Sequence, residues 1–134
     1  MAVQQFPKDL TLRYQLARAV ELADPARGQT MQDELVRSGY PAASDNAGSL
    51  RLNENCGQRC INEAVKLFRN GVALGDPDSM MSLADQISKG QAKGDRGDMI
   101  LLYQRVAKLG HPGAKRALDA LALAPPPIIF RLPY

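Results

Sequence analysis

The sequence predicts an all-α fold, a short α-solenoid of antiparallel helical hairpins, and three observations carry that expectation. Phe68, Gly75, Pro77 and Leu83 recur as Tyr103, Gly110, Pro112 and Leu118, each pair 35 residues apart. Self-similarity at that period marks stacked helix pairs, because one hairpin cannot bury its own apolar face and must pack on a neighbour. Aromatic residues make up only 5% of the chain and Trp is absent, while Ala and Leu are abundant, a balance that favours helices over strands. Gly or Pro closes each apolar stretch of helical spacing.

The elements follow in order. Leu10, Leu12, Leu16, Ala17, Val20 and Ala23 recur near helical spacing, with no Gly or Pro between them, and define a first helix over Asp9 to Leu22. Asp24-Pro25 interrupts it, since proline lacks a donor and the residue before it avoids the helical region. A second helix starts near Pro25 or Thr30, runs through Met31, Leu35 and Val36 to Ser38, and stops at Gly39. Together these form a degenerate hairpin over residues 8–38.

Residues 39–57 hold Gly39, Pro41, Ser44, Asp45, Asn46, Gly48, Ser49, Asn53, Asn55 and Gly57. That density of turn formers predicts a long irregular loop with at most one helical turn at Leu50 to Leu52. Repeat helices then fill 58–123. Ile61, Ala64, Val65, Leu67, Phe68, Val72 and Leu74 give an amphipathic helix ended by Gly75. Asp76-Pro77-Asp78 turns the chain into a helix over Ser79 to Ser88, closed by Gly90 and Gly94. A helix over Asp95 to Leu109 and the turn Gly110-His111-Pro112-Gly113 repeat the pattern before a last helix over Ala114 to Leu123. Pro125, Pro126 and Pro127 end all helix, and the apolar, Pro-rich tail 124–134 is expected to lie extended and cap the last helix.

A chain of 134 residues is expected to form a single domain with a real core. No run of about 18 apolar residues is present, so no membrane span is expected. Met1 to Pro7 has neither a basic nor an apolar signal region, as expected for a protein without an intact signal peptide or a mature form that has lost one. The formal charge is +3, and residues 86–118 hold seven Lys or Arg against Asp95 and Asp98. With Tyr103 the only aromatic among them, this is a solvated basic face rather than a nucleic-acid stripe.

Cys56 and Cys60 are the chain's two cysteines. Their spacing suits a small disulfide loop in an oxidising compartment, which would fix how the chain enters the next helix; two reduced thiols at a helix start fit it as well. Catalytic readings are weak. His111 is the sole His and stands where the first turn has Asp76, a polar turn position. One His and two Cys do not make a closed zinc site. Asp76 and Asp78 bracket a proline at a helix start, where negative charge complements the helix dipole. Gly90 to Gly97 lacks the preceding strand and the Lys-Ser/Thr ending of a phosphate loop. No cofactor and no metal is expected.

Three strings carry a resemblance: Ala64, Leu67, Phe68, Val72 and Gly75; then Ser79, Leu83, Ala84, Ile87 and Gly90; then Asp95, Met99, Leu102, Tyr103, Val106, Ala107, Gly110, Ala114 and Leu118. Over residues 60–123, about half of the chain, the sequence resembles the Sel-one-like repeat family, a relative of the tetratricopeptide repeat with two antiparallel helices per unit. Asp95, Tyr103, Ala107, Gly110, Ala114 and Leu118 match the family pattern. Leu67 and Leu102 replace its usual Trp, Gly71 and Val106 replace a small Ala, and Ala84 and Asp119 replace its Gly.

The resemblance implies a protein–protein interaction module without catalysis. Proteins of this kind serve as adaptors, many bacterial ones are exported, and some are immunity proteins that bind and neutralise a secreted antibacterial effector enzyme. The immunity role is the leading reading, with a periplasmic or exported mature form. A generic adaptor, scaffold or regulatory subunit, or a cytoplasmic location, is the alternative, and a small enzyme using Cys56, Cys60 or His111 comes last. In such hairpins the first helix lines the concave face. The resemblance thereby implies a partner-binding set of Asp78, Met81, Ser82, Asp85, Lys89 and Arg116, joined by Tyr14, Gln15 and Arg18 of the degenerate unit. These residues mix charge signs, which suits a peptide or protein surface better than nucleic acid.

Overall fold

The computed structural model describes residues 9–123, and in that span the chain forms seven helices and no strand. They are α1 (Leu10–Ala23), α2 (Pro25–Arg37), α3 (Pro41–Asn53), α4 (Gln58–Ala73), α5 (Pro77–Ser88), α6 (Arg96–Lys108) and α7 (Pro112–Leu123). The tail expected over 124–134 lies outside the described residues.

Proline and aspartate set the helix starts. Pro25, Pro41, Pro77 and Pro112 each open a helix. A fixed φ suits that position and the missing N–H leaves nothing unpaired there. For this reason α5 and α7 begin ahead of the expected Ser79 and Ala114, and α2 begins at Pro25 rather than Thr30. Asp9, Asp24 and Asp76 accept from the backbone N–H of Leu12, Arg27 and Ser79 at 3.1, 3.2 and 2.9 Å, and Asp95 and Asp98 form a reciprocal capping box.

Residues 39–57 are not the long loop that their composition predicts. They hold α3, and only residues 54–57 connect it to α4. Ala43, Ser44, Ala47 and Gly48 are buried, and a Cβ at Gly48 would fall 2.4 Å from the Phe68 ring. The small residues that read as turn formers are what allow α3 to lie close against α4. Local propensity is a weak prior, and tertiary packing overrides it here.

Helices adjacent in sequence pack as neighbours, and α3 also touches α5 directly. The pairs α1–α2, α3–α4 and α5–α6 are antiparallel hairpins, and α7 begins a fourth unit. Turns of one kind join successive units. Gly39, Gly75 and Gly110 take φ of +79°, +81° and +86°, and the N–H groups of Tyr40 and Asp76 reach back to the carbonyls of Leu35 and Gly71 at 3.0 and 2.9 Å. This left-handed stop satisfies the orphaned carbonyls of one helix just before a proline opens the next.

The main core runs through α4, α5, α6 and α7 and is built on Phe68, Met80, Leu83, Leu102 and Val106. A smaller cluster of Ala17, Leu35 and Ala43, flanked by Tyr14 and Tyr40, holds α1 and α2 to α3. Between α4 and α5 the backbones approach so closely that a Cβ on Gly71 would fall 1.8 Å from Ser79 Oγ.

Candidate functional site

The odd-numbered helices share one face, and polar side chains stitch it together. Arg18 of α1 donates to the Oδ1 of Asn46 on α3, while Asn46 Nδ2 donates to Glu21 Oε2 at 2.7 Å. Glu21 in turn lies 3.7 Å from Arg18 Nε. The next step links α3 to α5, where the Ser82 hydroxyl donates to Asp45. From α5 to α7, Asp78 lies 3.9 Å from His111 Nε2, and a Cβ on Gly113 would sit 3.6 Å from the Met81 methyl. Contacts of this kind, helix to helix along one side, form the surface that curves into a binding face in solenoids of this class.

Charge on this face is shaped by burial. The Asp45 carboxyl is pushed up from its ordinary range, first by desolvation, which the Ser82 hydrogen bond and Arg18 oppose and the nearby Asp76 and Asp78 reinforce. Asp76 is raised by desolvation against the two bonds it accepts from Ser79. Tyr14 rests on Tyr40 with ring centroids 5.2 Å apart, and burial raises its hydroxyl. Tyr103 is likewise raised by burial and by the charge of Asp85.

A groove of about 420 Å³ opens between α3, α5 and α6. Ser49 and Leu52 border it on α3, and Met81, Ser82 and Asp85 on α5. Phe68 and Tyr103 add two rings. Volumes of this order suit a ligand or a short peptide stretch.

The expected binding residues divide accordingly. Tyr14, Arg18, Asp78, Met81, Ser82 and Asp85 are tied into the shared face by the contacts above. Lys89 is paired with Asp85 at 2.9 Å one turn along α5. Gln15 is exposed on α1 and Arg116 on α7, 35 residues after Met81. The expectation omitted α3 entirely, and with it Asp45, Asn46, Ser49 and Leu52. One signal could have found them: Gly39-Tyr40-Pro41 precedes Gly75-Asp76-Pro77 by 36 residues, as Gly75 precedes Gly110 by 35. Three Gly-x-Pro turns at the repeat period place a first helix at Pro41.

His111 acts at the start of α7 as Asp76 does at α5, since its Nδ1 accepts from Gly113 N at 3.0 Å. Cys56 and Cys60 are joined to each other, with Cα atoms 5.4 Å apart, where α3 hands over to α4. Glu54 lies beside them, 3.8 Å from the Cys60 sulfur. Their ligand atoms cluster within 4.8 Å, yet bonded sulfurs are not the thiolates that a metal needs. No described helix is long and apolar enough to cross a membrane.

Stacked antiparallel hairpins with a Gly stop after each second helix define an α-solenoid of helical repeats. No family model matches the sequence, and no curated protein matches it either. The fold is that of a Sel1-like repeat: it superimposes on the crystal structure of a Sel1 repeat protein from Oxalobacter formigenes with a TM-score of 0.78 and 22% identity. The match covers 90% of this chain and 54% of the other, so the chain spans about half the length of that protein.

Proposed function

We propose that this chain is a protein-binding module that holds a segment of a partner protein against the shared face of α1, α3, α5 and α7. The observation that carries the reading is the continuous run of cross-helix contacts on that face, ending in an open groove lined by both apolar and polar side chains. Such a surface grips an extended segment through many small contacts. The Sel1-like fold supports a binding role by analogy.

The test uses the purified protein as bait in a lysate that includes the periplasmic fraction, beside an Asp85→Lys/Arg116→Glu variant. A partner identified by mass spectrometry with the parent and lost with the variant is expected. No partner with either protein overturns the reading.

The finer proposal is an exported immunity protein whose partner is a secreted effector enzyme. The Cys56 to Cys60 pair supports export, because such bonds persist in oxidising compartments. Thiol labelling of native protein purified without reductant is expected to find neither cysteine free. A captured partner whose enzymatic activity survives saturation with this protein rejects the immunity role and leaves an adaptor.

A further inference from the structure

A second groove, of about 440 Å³, opens between α4 and α6 and shares no lining residue with the first. Leu83 and Ile87 of α5 form its floor with Leu102 of α6, and all three are buried. Leu83 and Ile87 lie on a row of α5 turned roughly half a circle from Met81 and Asp85, so this surface is separate from the shared odd-helix face. Leu101 on the wall is 60% exposed, and the apolar lining therefore runs from the core out to solvent. Three cations border it: Arg69 of α4, Lys93 of the connection before α6, and Arg105 of α6. All three are exposed, and none of them forms an ion pair among the described residues. The one acid in the lining, Asp98, already accepts from Asp95 N at 2.8 Å in the α6 capping box. The rim is fixed before anything binds. Arg69 Nη2 donates to the Lys93 carbonyl at 2.8 Å, which fastens the connection to α4 and leaves the other guanidinium N–H groups for a ligand. A Cβ on Gly94 would fall 2.8 Å from Ile87 Cδ1, so the same connection is seated on the floor.

We propose that this groove is a second docking surface, which takes an acidic segment of a partner protein in which a bulky apolar residue is flanked by Asp or Glu. The apolar residue covers Leu101 and reaches the floor of Leu83, Ile87 and Leu102, removing apolar area from water. Its acidic neighbours meet the rim, where the two guanidinium groups accept a carboxylate by paired N–H donors and Lys93 adds a point charge. Three cations against one acid favour this segment over a neutral one and repel a basic one. No lining residue is aromatic, so nucleic-acid bases find no ring to stack on. A membrane surface would meet the rim cations but not the recessed floor. The basic tint of residues 86–118 thus gains a use at Lys93 and Arg105, joined by Arg69 from outside that window.

Blocked pentapeptides provide the probes: one with leucine between pairs of acidic residues, its Asn/Gln counterpart, its lysine counterpart, and an acidic one with alanine in place of leucine. Binding is followed by methyl NMR of the whole protein. The acidic leucine peptide is expected to shift the Ile87, Leu101 and Leu102 signals, to leave those of Leu52 and Met81 in place, and to bind about tenfold or more tightly than the other three. Lys93→Glu/Arg105→Glu is expected to weaken that peptide by about tenfold or more, and Leu101→Ser by about threefold or more. These side chains are exposed, so the Tm of each variant is expected to stay at that of the parent. Equal binding of the acidic and Asn/Gln peptides, no binding of any peptide, shifts confined to Leu52 and Met81, or unchanged affinity in Lys93→Glu/Arg105→Glu overturns the proposal. Tighter binding of phosphatidylserine-containing vesicles or of single-stranded oligothymidylate than of the acidic peptide overturns it as well and assigns the basic rim to lipid or nucleic acid. None of these variants alters a residue of the shared face, so failure here leaves the reading of that face standing.

Discussion

The two ends of this molecule are held together by different physics. From α4 to α7 the chain is tied by a continuous apolar core, with Phe68, Met80, Leu83, Leu102 and Val106 in one connected cluster. At the other end α1 and α2 share a small cluster around Ala17, Leu35 and Ala43. There, polar links do much of the joining: the Arg18, Asn46 and Glu21 network, and an ion pair in which Arg51 Nη2 donates to both oxygens of Asp33 at 3.1 and 3.0 Å. The first hairpin even buries Gln32 completely, with neither amide atom hydrogen-bonded within the protein. The contrast shows that repeat stacking tolerates a poor core at one end, provided that specific polar contacts fix the register of the weak unit on the strong one.

The sharpest break in that contrast is Phe68→Ala. Phe68 is 1% exposed and fills the space left by the missing side chain of Gly48, so its loss is expected to cost about 3–5 kcal/mol, read as a lower denaturant midpoint. A smaller change of opposite sign is expected at the weak end. Gln32→Leu replaces two unmet polar atoms by an apolar side chain of similar size and is expected to stabilise by about 1–3 kcal/mol, concentrated in α1 and α2 amide exchange. A destabilised Gln32→Leu would show that this glutamine holds the hairpin after all.

The smallest effect lies where the two ends meet, at Asp45. Burial holds its carboxyl above the ordinary 3.8, so the folded protein keeps that proton more tightly than the unfolded chain does. The stability it affects is therefore greatest at low pH and declines as pH rises through the carboxylate range, with the full loss present at neutral pH. Asn at this position keeps an oxygen for Ser82 and never ionises. Asp45→Asn is expected to melt above the parent at pH 7, with the gap closing by about pH 3. A gap that is the same at both values would exclude titration of Asp45 as its source.

What the sequence disclosed follows from how each feature is encoded. Helix ends are written locally, in Asp24-Pro25, Gly75, Asp76-Pro77 and Gly110, and those ends were readable. The hairpin fold was readable from the period. Helix α3 was not read from composition, because Ser44, Asp45, Asn46 and Gly48 favour turns in isolation and become helical only when pressed against α4. The period held the missing clue at Gly39 and Pro41, which composition masked. On the shared face, the outward positions of α5 were inferable by register. The groove between α4 and α6 was not, since its rim joins Arg69 to Lys93 and Arg105 across three elements and leaves no local trace.

The recurring turn has a consequence for how such a chain can change length. Each unit after the first opens at a Gly-x-Pro, with the same backbone reversal at residues 39, 75 and 110, and each helix touches little beyond its neighbours in order. A duplicated stretch from Pro41 to Asp76, spliced in before Pro77, would meet α5 ahead of it with the contacts that α4 already makes, while its copy of α3 would take the place of α5 on α4 behind it. The molecule is in that sense extensible, growing by whole hairpins at the cost of one new junction per insertion, and each added hairpin would bring another odd helix to the face that carries Asp45.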